Sequence, residues 1–286
     1  MKLSKDVLQK IKQIEIHTRR LLSGTMIGDY SSAQKGTGLE FDQIRDYQMG
    51  DDVRFIDWNA SARNNKLLVK QYIEERNRTI MLLVDVSGST SYGSTPLLKS
   101  QVITEVASIL ALVSDYGKDH IGALLFADEV EKVIPPARGR KHVHLLMEHL
   151  LTQQSSGATS IKSALERLVS GHKQDSVVFI ISDFFDSGYE KLLKIAARKH
   201  DVIAVRCLDP REKSFPLKGF LAVKDPETDL EAEIEIGASD VEAFLKEHRL
   251  KTASTLKKCG VDLLEVQTDR PFMGEIIRFF RKRMRY

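Results

Sequence analysis

The sequence predicts a doubly wound α/β protein, with a mostly parallel sheet flanked by helices. Three observations carry that prediction. Short, almost wholly apolar runs recur along the chain, beginning with Thr79–Val84 (TIMLLV). They lack polar alternation, as expected of strands buried on both faces of a parallel sheet. Amphipathic helical patterns separate most of these runs, and repeated strand–helix alternation is the signature of a parallel sheet wound by crossover helices.

The elements follow in order. Further strand-like runs lie at Ile121–Phe126, Val177–Ile181, Val202–Cys207 and Val261–Val266. The first helix is read from Pro96 onward, with Val102, Ile103, Val106, Ile109, Leu110 and Val113 on a broad apolar face. Thr95 is its expected cap and Pro96 its first residue. Helical patterns also fit His142–Leu151, Ile161–Val169, Tyr189–Arg198, Val241–Lys257 and Pro271–Arg283. Glu129–Ile134 follows a strand and a short Ala-Asp turn, so it reads as an antiparallel hairpin partner. Residues 210–237 interrupt the rhythm with two strand-like stretches, Phe220–Lys224 and Leu230–Ile236, and read as an inserted hairpin. These elements make one domain over residues 79–286.

Residues 1–78 read as an extension packed on that domain. Leu3, Val7, Ile11, Ile14 and Leu21 recur at helical spacing, and the helix stops near Gly24. Thr25 to about Gly50 is rich in Gly, Ser and Asp and reads as irregular, whereas Lys66–Glu75 fits an edge strand.

Composition narrows the classes of function. The chain has 286 residues, is 42% hydrophobic and 29% charged, and carries a net charge of +3. Those values suit a globular domain with a sizeable core. The charge is too small to point to nucleic acid, and the basic tail (Arg278, Arg281, Lys282, Arg283, Arg285) lacks aromatic interleaving. It reads as a solvated helix end and leaves only peripheral membrane contact open. No apolar run reaches the roughly 18 residues of a membrane span. The two cysteines, Cys207 and Cys259, form neither a metal-ligand spacing nor a disulfide framework. A cytoplasmic protein is the expectation.

The chemistry concentrates at strand ends, where ligands bind in open α/β sheets. Asp85, Ser87 and Ser89 follow the first buried strand, Thr159 lies in the loop Ser155–Ser160 before a helix, and Asp183 follows Val177–Ile181. Two carboxylates and three hydroxyls suit a hard cation, with Mg²⁺ the first choice and Mn²⁺ or Ca²⁺ as substitutes. In an extended turn, residues 85, 87 and 89 point one way while Val86 and Gly88 point the other.

Asp85-Val86-Ser87-Gly88-Ser89, the downstream Gly157-Ala158-Thr159 and the strand-terminal Asp183 resemble the metal-ion-dependent adhesion site of von Willebrand factor A domains. The resemblance implies direct ligation by Ser87 and Ser89, with Thr159 joining in the ligand-competent state. Asp85 and Asp183 would act mainly through metal-bound waters, and a partner carboxylate would complete the shell. Two departures stand out: no acidic residue follows Thr159, and Phe184-Phe185 replaces the glycine after the last aspartate.

Upstream, Gly38–Tyr47 leads to Gly50-Asp51-Asp52-Val53-Arg54-Phe55-Ile56-Asp57-Trp58. With the metal motif, this resembles the bacterial von Willebrand A-like family whose genes accompany MoxR-type AAA+ ATPases. The resemblance implies a partner role beside such an ATPase, in maturation or metal insertion of a client protein that supplies an acidic residue. Read from the residues alone, Asp51, Asp52, Arg54, Asp57 and Arg63 make an ion-pair network tying the extension to the domain, with Trp58 as a packing anchor.

Enzymatic readings fit less well. A haloacid dehalogenase-like phosphatase has a second aspartate two residues after its aspartyl nucleophile, where this chain has Ser87. The nucleophile elbow Gly-x-Ser-x-Gly and the P-loop are absent. His120, His142, His144 and His149 have no evident base role. A scaffold with a purely stabilising metal is the other alternative.

Overall fold

The computed structural model describes residues 11–14, 38–75, 78–172, 174–215, 219–224, 231–236 and 238–283. The chain divides into two compact units, residues 31–77 and the remainder.

The larger unit is built on a six-stranded sheet. Its strands are β3 (Thr79–Asp85), β4 (His120–Phe126), β5 (Val130–Ala137), β6 (Val177–Ser182), β7 (Asp201–Leu208) and β10 (Asp262–Gln267). Their order is β5-β4-β3-β6-β7-β10, and every pairing is parallel except β5 against β4. In order of appearance these strands run 3-2-1-4-5-6 across the sheet, a doubly wound order. The helices are α2 (Lys99–Tyr116), α3 (Arg140–Thr152), α4 (Ile161–Gly171), α5 (Glu190–Lys199), α6 (Ala238–Lys258) and α7 (Met273–Arg283).

The strand sequences explain why both faces are covered. All seven residues of β3 are buried. Ile80, Leu82 and Val84 point into one core with α2, α3 and Phe280, whereas Met81 and Leu83 point into the other with α4, Leu193 and Leu256. Period-two alternation delivers side chains to both sides, so an unbroken apolar run is what such a strand requires. Ile11 is 2% exposed and belongs to the first core, with Ile14 packed against it. The rest of the expected N-terminal helix lies outside the described residues.

Two expectations need correction. Helix α2 begins at Lys99, after Leu98, and not at Pro96. The Thr95 hydroxyl donates to the carbonyls of Leu97 and Thr268 instead of capping, while Ser94 is held by Asp209. The Gln101 side chain instead accepts from the Leu98 N–H at 3.0 Å. The second correction concerns residues 38–46, read as irregular, which form strand β1 (Gly38–Asp46) antiparallel to β2 (Leu68–Glu75). A register shift between Phe41 and Gln43 puts Leu39, Phe41 and Ile44 out of a common period of two, hiding the strand from pattern reading.

In the inserted segment, β8 (Gly219–Lys224) and β9 (Glu231–Ile236) form a separate antiparallel ladder. Among the described residues no helix is long and apolar enough to cross a membrane.

The smaller unit holds the β1–β2 ladder and helix α1 (Trp58–Asn64). Its charges pair locally. Arg45 grips Asp51 through two 2.7 Å bonds, Asp52 pairs with Arg54, and Asp57 pairs with Lys70 at 3.4 Å. The first pair holds the Asp51 carboxyl down at about 2. Asp57 also accepts from the Ala60 N–H and caps α1. Arg63 is exposed. Trp58 is 66% exposed and does not act as a packing anchor; Ile56, Ser61 and Val69 are the buried residues nearby.

Candidate functional site

Asp85 ends β3, and the backbone ladder continues one residue further, Val86 N–H donating to Phe126 O at 2.8 Å. The chain then turns through a short 3₁₀ helix, Gly88–Ser91. The loop carrying Thr159 docks onto this segment through its backbone. Gly88 N–H donates to Gly157 O at 2.9 Å, and Ser156 N–H to Val86 O at 3.0 Å. Gly157 has φ +76° at this close approach, a conformation that glycine adopts without strain.

These contacts bring three hydroxyls together. Thr159 Oγ1 donates to Ser87 Oγ at 2.8 Å; Ser87 Oγ and Ser89 Oγ lie 3.0 Å apart; Ser89 Oγ and Thr159 Oγ1 lie 3.2 Å apart. Such a triangle can be tested against a cation. Octahedral Mg²⁺ with oxygens at 2.0–2.1 Å has adjacent ligands about 2.8–3.0 Å apart, whereas octahedral Ca²⁺ needs about 3.3–3.7 Å. Two sides of the triangle, 2.8 and 3.0 Å, match a face of a Mg²⁺ octahedron, and the third, at 3.2 Å, is slightly wider. The donors are all oxygen, as that ion prefers.

Asp85 lies behind the triangle and is 1% exposed. Its Oδ1 accepts from Ser87 N–H at 3.0 Å and its Oδ2 from Ser182 Oγ at 2.5 Å. Burial and the charge of Asp183 push its carboxyl up to about 7, against the pull of the Ser182 and Ser87 bonds. A cation bound at the triangle would stabilise the ionised form of a carboxyl raised in this way.

Asp183 is the fifth candidate, and its situation differs. Its Oδ2 accepts from Lys99 Nζ at 2.6 Å and its Oδ1 from Phe185 N–H at 3.1 Å. Lys99 also reaches Glu212 Oε1 at 2.8 Å. Burial opposes the Lys99 charge, but Asp183 and Glu212 outweigh it and raise the ammonium above its ordinary value. Sequence reading missed Lys99 and Glu212. The available signal was a lysine at the first position of the helix, where the helix dipole disfavours a cation.

The Phe184 departure lies in the side chain alone. Phe184 has φ +61°, the left-handed conformation that a glycine would adopt most easily. Its ring is fully buried and meets Tyr189 edge-on at 6.3 Å, which holds the strained backbone in place. Asp186, the other acid of this loop, accepts from Ile161 N–H at 2.7 Å and so caps α4. None of the described residues forms a cluster of three His, Cys, Asp or Glu suited to a metal, so the candidate site is defined by hydroxyls.

Fold and site together define a doubly wound α/β domain with a polar, oxygen-lined site at the point where strand order reverses between β3 and β6. The family model described as "Protein of unknown function DUF58" matches residues 43–253, and the chain belongs to that family. It is 29% identical over 282 residues to the uncharacterized protein Rv1480 of Mycobacterium tuberculosis, covering 96% of this chain and 89% of that one. It is 30% identical over 119 residues to the uncharacterized protein YeaD of Bacillus subtilis, covering 41% and 27% respectively. Among solved structures, the conserved hypothetical protein BatB from Bacteroides thetaiotaomicron aligns with TM-score 0.46 and 12% identity, over 73% of this chain and all of that one. The SpRpn10 VWA domain aligns with TM-score 0.40 and 12% identity, over 71% and 95%.

Proposed function

We propose that this chain is a protein-interaction module whose contact with its partner runs through a divalent cation held by Ser87, Ser89 and Thr159. The observation that carries the proposal is the hydroxyl triangle, with sides of 2.8–3.2 Å. It offers three neighbouring ligands, and Mg²⁺ retains further positions for water and for an incoming carboxylate. Asp85, buried behind it, supplies compensating charge.

Binding is favoured over catalysis by the state of the acids. Asp85 and Asp183 are 1% exposed and fastened by Ser182, Lys99 and backbone N–H groups. Groups held that way suit balancing a cation better than attacking a substrate or shuttling its proton. The resemblance of the Gly38–Trp58 segment to the MoxR-associated family supports a finer reading: an accessory to a MoxR-type AAA+ ATPase in maturation or metal insertion of a client complex. In that setting the client or the ATPase supplies the acidic residue.

The test uses the purified chain with a purified MoxR-type AAA+ ATPase. Complex formation is measured in Mg²⁺ and in EDTA, for wild type and Asp85→Ala. The proposal expects association in Mg²⁺ only, lost in Asp85→Ala. Association that is equal in EDTA overturns the metal-mediated reading.

A further inference from the structure

Lys99 has an unusual environment for a lysine. It is 3% exposed, although lysine is almost never fully buried unless paired. It opens helix α2, where the macrodipole adds a second cost to a positive charge. The rings of Tyr92 and Phe185 lie 5.8 and 5.6 Å from its nitrogen and shield it from water. Two carboxylates offset these costs, Asp183 at 2.6 Å and Glu212 at 2.8 Å.

Each carboxylate ties Lys99 to a different loop at the carboxyl edge of the sheet. Asp183 follows β6. Glu212 closes a short 3₁₀ helix, Pro210–Glu212, after β7, and its Oε2 accepts from Asp209 N–H at 3.0 Å. Asp209 in turn accepts from Ser94 N–H at 2.7 Å and Ser94 Oγ at 2.5 Å, holding the loop that runs from Ser89 into α2. The ammonium is therefore the hub of the polar network beside the hydroxyl triangle.

We propose that Lys99 is a resident counter-cation: it holds Asp183 in an ion pair and so weakens the hold of the neighbouring hydroxyl site on a divalent ion. This rests on the metal-binding reading above and adds to it a residue that sets affinity. Lys99 is a positioning residue that acts through Asp183. With Asp183 engaged by the ammonium and by Phe185 N–H, a divalent ion near Ser87 faces a cluster of Asp183, Glu212 and Lys99 that nets one negative charge, where two would stand without the lysine. The arrangement gives a site that loads and releases its ion instead of trapping it. A carboxylate brought by a partner then adds the charge that Lys99 has cancelled, coupling ion retention to partner binding.

The experiment is Mg²⁺ titration calorimetry on the whole chain, wild type against Lys99→Met. The change removes one positive charge and leaves Asp183 without its cation. Loss of that unit charge is expected to tighten Mg²⁺ binding by about tenfold or more. Unchanged or weaker binding in the folded variant overturns the inference and assigns Lys99 a purely structural role. No Mg²⁺ binding by wild type defeats the underlying metal reading instead, so the two failures are distinguishable. If the variant does not fold, the ¹⁵Nζ resonance of Lys99 is followed in wild type during the titration. A shift that saturates with Mg²⁺ binding supports the proposal; a resonance unmoved while Mg²⁺ binds overturns it.

Discussion

Replacing Lys99 by Met gives the sharpest stability prediction. Methionine keeps most of the stem's volume and removes the charge. Asp183, with no exposed side-chain surface, and Glu212, with 11%, then lose their cation. Breaking a buried pair by deleting one partner costs about 3–5 kcal/mol, because the other charge is left uncompensated. For a domain of about 200 residues each kcal/mol lowers Tm by about 2–4 °C, so the expected fall is about 6–20 °C. The loss has a definite pH dependence. The Glu212 carboxyl, already raised by burial, loses the cation that pulls it down. Its contribution is then most favourable below the unfolded value of 4.5 and is lost as pH rises through the raised folded value. The deficit is therefore small near pH 4 and full at pH 8. Differential scanning calorimetry of wild type and variant at the two pH values measures it. A fall under about 3 °C at pH 8, or a fall independent of pH, refutes the reasoning.

Other predictions follow from single residues. Burial and Asp183 raise Asp85 to about 7, so its contribution is lost as pH rises from the unfolded value of 3.8 toward 7. In EDTA, Asp85→Asn should be more stable than wild type by roughly 2–4 kcal/mol at pH 8 and equal to it near pH 4, as read by urea denaturation. Phe184→Ala deletes a fully buried ring and should cost about 3–5 kcal/mol. Phe184→Gly should cost no more than the alanine change, reversing the usual order, because it relieves the left-handed backbone. Trp58→Ala should change stability by less than about 0.5 kcal/mol, since the ring is largely exposed, whereas Asp57→Ala should cost about 1 kcal/mol through the lost cap of α1. Hydrogen exchange of residues 38–75 distinguishes these two.

Much of the architecture was legible because its signals are local. The apolar runs marked the sheet strands within a residue or two at most ends, since a strand buried on both faces leaves no position for a polar side chain. The antiparallel β5 was visible from the tight turn before it. Strand β1 was not, because its bulge breaks the period on which strand reading depends. The start of α2 was misplaced because Thr95 and Ser94 bond to residues over 100 positions away, which no local cap rule can anticipate.

The site shows the same division. Asp85, Ser87 and Ser89 fall at alternate positions of one short segment, and Thr159 was found by its loop context. The structure draws these four together through hydroxyl and backbone bonds. What the sequence concealed is the charge balance around Asp183. Lys99 and Glu212 are 113 residues apart and meet only because the loops after β3 and β7 share one edge of the sheet. Long-range ion pairs carry no spacing signature. Likewise the Phe184 position looked like a departure from the motif, yet its backbone has the conformation expected of the missing glycine.

Binding of a divalent cation by Ser87, Ser89 and Thr159 is tested most directly by a crystal of the protein soaked in Mn²⁺ and read by anomalous diffraction at the manganese edge. One strong peak is expected facing the hydroxyl triangle, about 2 Å from each of the three oxygens. The peak should be lost in Asp85→Ala crystals treated identically. A wild-type map with no peak there, or with manganese bound only elsewhere on the chain, contradicts the metal-binding reading.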